Sequence, residues 1–210
     1  MSYTLTTHFK QVLADTFTPV SVYLKIRDRF PNSLLLENND YRGSENSFSY
    51  ICCNPIATIK IENETIYQSF PDKSIQKTPI TAQTNIPQVI EHFGNQFKIT
   101  QSDFKFINNC LFGYISYDAV RYFENIDISK KESSLDIPDM QYTVYQNIIA
   151  ISNITNEAYI FAHCYNSESK IPEIESLLKV KNFASYNFTA VGDTTSNLND
   201  EQYKEHVALA

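Results

Sequence analysis

The alternation of apolar and polar residues between positions 33 and 70 constrains the fold more than any other feature of this sequence. A side-chain period of two is typical of β-strands that bury one face. Short polar stretches separate the apolar runs, as in strands joined by tight turns. We therefore predict a meander of four strands, at 33–37, 46–53, 56–61 and 64–70.

The rest of the chain mixes helical and strand patterns without the regular spacing of βαβ units. Apolar spacings of three and four residues predict helices, and further apolar runs predict strands. With 210 residues the chain is long enough to bury a full hydrophobic core. We expect an α+β fold, a mostly antiparallel sheet with flanking helices, with a surface loop at 71–84, helices at 6–17, 20–27, 85–97 and 169–180, and strands at 106–117, 140–153, 156–164 and 183–190.

Composition argues against several classes of protein. The formal net charge is −7 and the only short basic run is Lys130-Lys131, so a nucleic-acid-binding surface is not expected. No stretch approaches the roughly 20 apolar residues of a membrane span, and the N-terminus lacks the apolar core of a secretory signal. We expect a cytoplasmic protein that contacts neither nucleic acid nor membrane.

No catalytic or metal-binding pattern is complete in this sequence. The four glycines form no phosphate-binding loop, and the four histidines form no zinc motif. The cysteines at 52, 53, 110 and 164 include no CxxC pair, and neighbours on a strand point to opposite faces. We expect reduced cysteines packed in the core, no catalytic residue and no metal site.

The stretch LFGYISYDAVRYFE, residues 111–124, joins an apolar strand to a helical pattern. Asp118 is the candidate N-cap at the turn between them. Because Tyr and Arg are favoured at binding surfaces, Tyr114, Tyr117 and Arg121 are candidates for lining a cleft or an interface. The alternative is a strand-to-helix corner whose aromatic residues pack inside the protein.

The stretch LLLENN, residues 34–39, ends a predicted strand on polar groups. A carboxylate at this position can bind the ammonium group of a free amino acid, and a neighbouring amide can donate to its carboxylate. Glu37 and Asn38 are the candidates for these roles, with Leu36 and Phe48 as an apolar wall for an aromatic ring. The alternative is a strand end closed by turns in which Asn side chains bond to their own backbone.

The last residues, SNLNDEQYKEHVALA, contain the start of a helix. Asn199 is the expected N-cap, and Gln202 stands where a capping box needs a glutamine. A helix of about eleven residues is marginal by itself, so we expect Tyr203, Val207 and Leu209 to face a partner surface. The alternative is a helix docked on its own domain.

Four segments, LLLEN, ENSFSYICCNPIATI, LFGYISYDAVRYFE and TSNLNDEQYKEHV, have the order and spacing of the N-terminal part of anthranilate synthase component I. From about Thr18 onward the chain resembles this family, whose members are the large, chorismate-using subunits of tryptophan biosynthesis. A close relative, aminodeoxychorismate synthase component I of folate synthesis, shares this part, although DAVRYFE is more similar to the tryptophan enzyme. A third hypothesis is a stand-alone amino-acid-binding module.

The resemblance implies that residues 1–190 form a regulatory domain and that 191–210 lead into a catalytic domain beyond this chain. The parent enzyme would be a lyase that converts chorismate and ammonia to anthranilate and pyruvate. Its Mg²⁺ ligands would lie in the catalytic domain, and a glutamine amidotransferase subunit (component II) would supply the ammonia. The chain alone would be inactive.

The resemblance also implies a site for tryptophan, the feedback inhibitor of this family. A Leu-Leu-Glu-Ser motif contributes to that pocket in the family and matches residues 35–38 here, with Asn38 in place of Ser. The larger amide still donates a hydrogen bond. A second copy of the chain, packed against the last helix, is a further candidate partner and would give a homodimer. The implied allosteric half-site consists of Leu36, Glu37, Asn38, Ser47 and Phe48.

Overall fold

The computed structural model describes residues 2–37, 47–100, 104, 106–107, 109–124, 126, 137–180, 187, 189–193 and 195–209. Its strands are β1 (Tyr3–Leu13), β2 (Leu34–Leu36), β3 (Phe48–Glu62), β4 (Thr65–Ser69), β5 (Ile75–Pro79), β6 (Phe97–Ile99), β7 (Phe112–Ile115), β8 (Met140–Ser152) and β9 (Glu157–Cys164). They form one sheet in the order β5-β4-β3-β8-β9-β1-β6, with β2 beside β3 and β7 beside β8. Only the β1–β6 pair among these strands is parallel, so the predicted α+β fold with a mostly antiparallel sheet is confirmed.

Side chains cap the starts of the first and the last described helix. At the start of the first helix the Thr18 hydroxyl accepts from the backbone N–H of Ser21, and the Ser21 hydroxyl accepts from the backbone N–H of Thr18. Asn199 and Gln202 make the same reciprocal pair at the last helix. The predicted helices after residue 18 are confirmed as α1 (Pro19–Arg27), α2 (Ile86–Gly94), α3 (Ile171–Lys179) and α4 (Asp200–Leu209). The helix predicted at 85–97 ends early, at Gly94, and Phe97 begins the unpredicted strand β6.

The predicted helix at 6–17 is wrong, because most of this segment belongs to strand β1. Tyr3, Leu5 and Thr7 are buried and the residues between them are exposed, which is the alternation of a strand. Eight residues of β1 pair with β9. The apolar spacing of Phe9, Val12 and Leu13 also suits a helix, but the ladder to β9 satisfies the backbone groups and fixes the strand.

Other boundaries differ from the prediction for local reasons. Strand β3 runs through the two predicted strands at 46–53 and 56–61, with a bulge between Pro55 and Ala57 where its register with β8 shifts. The predicted loop at 71–84 contains β5, an edge strand whose five residues are all exposed and therefore lack a period-two signal. The strand at 106–117 is reduced to β7, and the strand at 183–190 falls largely outside the described residues.

Three apolar clusters form the core. The first lies between the sheet and helices α1 and α3 and includes Ile26, Ile160 and Ile174. The second lies under α2 around Phe93. The third is aromatic and surrounds Phe161. Burial of each such side chain contributes about 1.5–3 kcal/mol to folding.

The cysteines are free, and Cys52, Cys53 and Cys164 are buried. Burial raises the pKa of the Cys53 thiol to about 12 and that of Cys110 to about 11. They are therefore packing residues, as the sequence predicts. Across the described part of the chain, no helix is both long and apolar enough to cross a membrane.

Candidate functional site

The end of β2 and the start of β3 lie side by side. Leu34, Leu35 and Leu36 stand opposite Cys52, Ile51 and Tyr50 in an antiparallel pair. Glu37, which directly follows β2, therefore lies beside the first residues of β3. The sheet brings together the two segments that the resemblance assigns to one half-site.

A polar network fixes the start of β3. Ser47 is only 2% exposed, and its hydroxyl accepts from Asn153 Nδ2 at 3.0 Å. The backbone N–H of Asn153 also donates to the Ser47 carbonyl at 2.9 Å. The Ser49 hydroxyl donates to Asn153 Oδ1 at 2.9 Å. Asn153 thus holds Ser47 in place. The sequence does not predict this role, because the two residues are 106 positions apart.

Apolar and charged groups surround this anchor. Phe48 stacks on Phe106 with ring centroids 4.3 Å apart, so its ring is held against the aromatic cluster. Leu36 and Glu37 are exposed. Asn38 lies outside the described residues. The tryptophan half-site therefore stays a prediction. In it, the Glu37 carboxylate, which has no partner among the described residues, would bind the ligand beside an apolar wall.

Arg121, the charged candidate of the second stretch, is already bound by neighbouring groups of the protein. Its Nη2 donates to Asp139 Oδ2 at 2.7 Å, and its Nη1 donates to the Asp118 carbonyl at 2.9 Å. The Tyr122 hydroxyl donates to the same Asp139 oxygen at 2.8 Å, and the guanidinium lies 4.8 Å from the centre of the Tyr122 ring. These contacts form a clamp between the segment after β7 and the segment before β8.

The corner itself is a 3₁₀ helix at Tyr117–Tyr122. Ser116 is its N-cap residue, so the N-cap predicted for Asp118 is wrong: Asp118 lies inside the first turn. Tyr117 is 88% exposed and Tyr114 is 40% exposed. Of the three candidates in this stretch, the two tyrosines present free surface and Arg121 does not.

Tyr114 lines a cleft of about 330 Å³ between β7, β8 and the bulged part of β3. We call it the β7–β8 cleft. Its lining includes the side chains of Thr58, Phe112, Tyr114, Gln141, Thr143 and Tyr145. Sequence analysis identifies only Tyr114 among them, because Gln141 and Thr143 read as ordinary polar positions of a predicted strand.

A larger cavity, of about 520 Å³, lies between the end of β1 and helix α3. Its charged lining groups already have partners. Glu175 pairs with Lys10 at 2.6 Å and with Lys179 at 3.0 Å, and Lys25 donates to the Leu178 carbonyl at 3.0 Å. None of the binding-site residues predicted from the sequence lines this cavity.

Comparisons with known proteins agree on one family. A model of the family described as chorismate binding enzyme matches residues 32–210. Anthranilate synthase component 1 of Lactococcus lactis is 25% identical, over 96% of this chain and 44% of that protein. The Thermus thermophilus protein of the same name is 25% identical, over 73% of this chain and 31% of its own length.

The crystal structure of anthranilate synthase component I from Streptococcus pneumoniae TIGR4 has a similar fold. Its TM-score is 0.52 at 18% sequence identity, and the match covers 95% of this chain and 44% of that one. The chain thus spans less than half the length of these relatives. Because the family match takes in most of its residues, the protein belongs to the chorismate binding enzymes.

Proposed function

We propose that this chain is the N-terminal part of an anthranilate synthase component I and that it forms one side of a tryptophan-binding site. The complete enzyme would convert chorismate and ammonia, released from glutamine by an amidotransferase partner, to anthranilate and pyruvate. Residues 1–190 would form the regulatory domain, and 191–210 would lead into the catalytic one. The observation that supports the proposal is the antiparallel pairing of β2 with the first half of β3, in a chain whose relatives named above are anthranilate synthases.

The chemistry of these side chains suits a free aromatic amino acid. A carboxylate such as Glu37 makes short, charge-assisted hydrogen bonds to an ammonium group. The stacked Phe48 and Phe106 rings offer an apolar surface to an indole ring. The Asn38 amide is a donor for the ligand's carboxylate. This set covers one side of the ligand, and the catalytic part would cover the other.

Inhibition would follow from unequal binding to two arrangements of the enzyme. Tryptophan that binds better to a low-activity arrangement shifts the population toward it. The Mg²⁺ implied for the parent enzyme has no suitable ligand group of three or more His, Cys, Asp or Glu among the residues that the structure describes. No step is therefore assigned to a metal in this chain.

The test is the change Glu37→Ala in the complete enzyme, with anthranilate formation measured against tryptophan concentration. Loss of a hydrogen bond to a charged group is equivalent to about 1.5–3 kcal/mol, so half-inhibition should need at least about tenfold more tryptophan. The rate without tryptophan should be unchanged. Glu91→Ala, on the exposed face of α2, is the matched control and should keep normal inhibition.

Unchanged inhibition in Glu37→Ala would refute the assigned role of Glu37. A complete enzyme that makes aminodeoxychorismate instead of anthranilate would refute the proposed activity. In calorimetry on the 210-residue chain alone, a half-site should bind tryptophan more weakly than about 1 mM. Micromolar binding would contradict the half-site.

A further inference from the structure

The β7–β8 cleft exists because two irregularities of the sheet meet there. The bulge between Pro55 and Ala57 shifts the register of β3 against β8. On the other side of β8, strand β7 approaches closely at Gly113, where a Cβ atom would overlap the Gln141 carbonyl and lie 2.9 Å from the Tyr142 Cα. The cleft is therefore set by backbone geometry, which favours a preformed site.

Its floor is aromatic and rigid. Phe112 and Tyr145 are almost fully buried, with ring centroids 6.4 Å apart and planes at 68°. The Tyr145 hydroxyl donates to the Asn32 carbonyl at 3.1 Å, which fixes the ring. Burial raises the pKa of Tyr145 to about 12, so its hydroxyl is neutral at physiological pH.

The polar groups of the cleft are uncharged and have bonding capacity left. The Thr58 and Thr143 hydroxyls lie 3.3 Å apart, and Thr143 is only 3% exposed. In the part of the chain that the structure describes, the Gln141 carboxamide and the Tyr114 hydroxyl have no hydrogen-bond partner. The described lining contains no charged side chain. Lys60, Glu62 and Asp139 lie close enough to Tyr114 to act on its hydroxyl, but Lys60 pairs with Glu62 at 2.8 Å and Asp139 pairs with Arg121 at 2.7 Å. Transfer of a charged ligand into such a site would be costly, because the nearby charges are already neutralised by each other.

We propose that the β7–β8 cleft binds an uncharged small molecule that carries one aromatic ring and a carboxamide-like group. The ring packs against Phe112 and Tyr145, and the polar group bonds to Gln141 and Thr143. A volume of about 330 Å³ lies at the small end of ligand pockets, which suits one ring rather than a larger ligand. This site differs from the tryptophan half-site and does not rest on the proposed function.

The experiment uses the 210-residue chain and three single-ring probes of similar size: neutral benzamide, anionic benzoate and cationic benzamidine. Binding is followed by NMR shifts of the Gln141 side-chain amide and the Gly113 backbone amide. For a probe this small we expect saturation by benzamide with a Kd on the order of 1 mM. Benzoate and benzamidine should bind at least about tenfold more weakly, from the cost of an unpaired charge.

Variants separate the cleft from non-specific association. Gln141→Leu should weaken benzamide binding at least about fivefold, whereas Gln76→Leu, on the exposed edge strand β5, should leave it unchanged. Gln141→Glu adds a carboxylate and should reverse the preference, so that benzamidine binds better than benzamide. If Gln141→Leu fails to fold, the reversed preference expected of Gln141→Glu still decides the question.

Three results would overturn the proposal. They are the absence of saturable benzamide binding, equal binding of benzamide and benzoate, and an unchanged preference in Gln141→Glu. Each is independent of whether tryptophan inhibits the complete enzyme.

Discussion

Removal of the Asp139 carboxylate should destabilise the protein by about 3 kcal/mol, since one oxygen of this group accepts two hydrogen bonds. Arg121 Nη2 lies 2.7 Å and the Tyr122 hydroxyl 2.8 Å from Asp139 Oδ2. Each hydrogen bond to a charged group contributes about 1.5–3 kcal/mol. The side chains of Arg121 and Asp139 are 16% and 18% exposed. In Asp139→Ala, water can therefore replace only part of the two hydrogen bonds that the carboxylate accepted. The two bonds together amount to about 3–6 kcal/mol, and we expect the free energy of unfolding to fall by an amount near the lower end of this range.

The assay is urea unfolding of Asp139→Ala, Arg121→Ala and the double variant. The free energies of unfolding form a double-mutant cycle, and we expect a coupling of about 1–2 kcal/mol between the two side chains. The matched control is the pair Lys170–Glu173, whose side chains are 51% and 28% exposed. An exposed pair of this kind should couple by less than about 0.5 kcal/mol. A clamp that couples no more strongly than this control would refute the reasoning.

Two further predictions concern the sheet around the β7–β8 cleft. Gly113→Ala should cost about 2 kcal/mol or more in urea unfolding, because the new Cβ meets the backbone of β8, whereas Gly94→Ala has room beside Leu111 and should cost less than about 1 kcal/mol. Equal losses in both variants would contradict the close approach of β7 to β8. Tyr145→Phe should cost about 1 kcal/mol at neutral pH, through the lost bond to Asn32. The pKa of Tyr145 is raised to about 12, against about 10 when unfolded, so its contribution is complete below pH 10 and lost as the pH rises from about 10 to 12. The wild type should lose stability faster than Tyr145→Phe across that window, and parallel pH profiles would contradict the raised pKa.

The sequence predicts the elements whose signal is local. Asn199 and Gln202 identify the start of α4 because a capping box needs only residues three apart. Strands β8 and β9 are predicted nearly to the residue because their apolar runs are long. Strand β5 is missed because none of its residues is buried. Strand β1 is mistaken for a helix because its apolar spacing suits both a helix and a strand. Only its pairing with β9, which the sequence does not show, decides for the strand.

The candidate sites follow the same rule. Glu37, Ser47 and Phe48 are predicted from short motifs, and this half-site stays a prediction; the structure shows only that the strands next to these residues, β2 and β3, pair with each other. Arg121 looks equally available in the sequence, but Asp139 binds it from 18 positions away. The β7–β8 cleft depends on the bulge in β3 and on the absence of a Cβ atom at Gly113. No run of neighbouring residues in the sequence predicts such a cleft.

The buried thiols make the protein convenient for site-specific labelling. A thiol reacts as its thiolate, and the raised pKa values of Cys53 and Cys110, about 12 and 11, leave very little thiolate at neutral pH. Cys52 and Cys164 are shielded by their burial. A cysteine introduced at Val191, which is 96% exposed, should therefore react with a maleimide long before the native ones. One fluorophore can then be attached at a chosen point while all four natural cysteines stay in place.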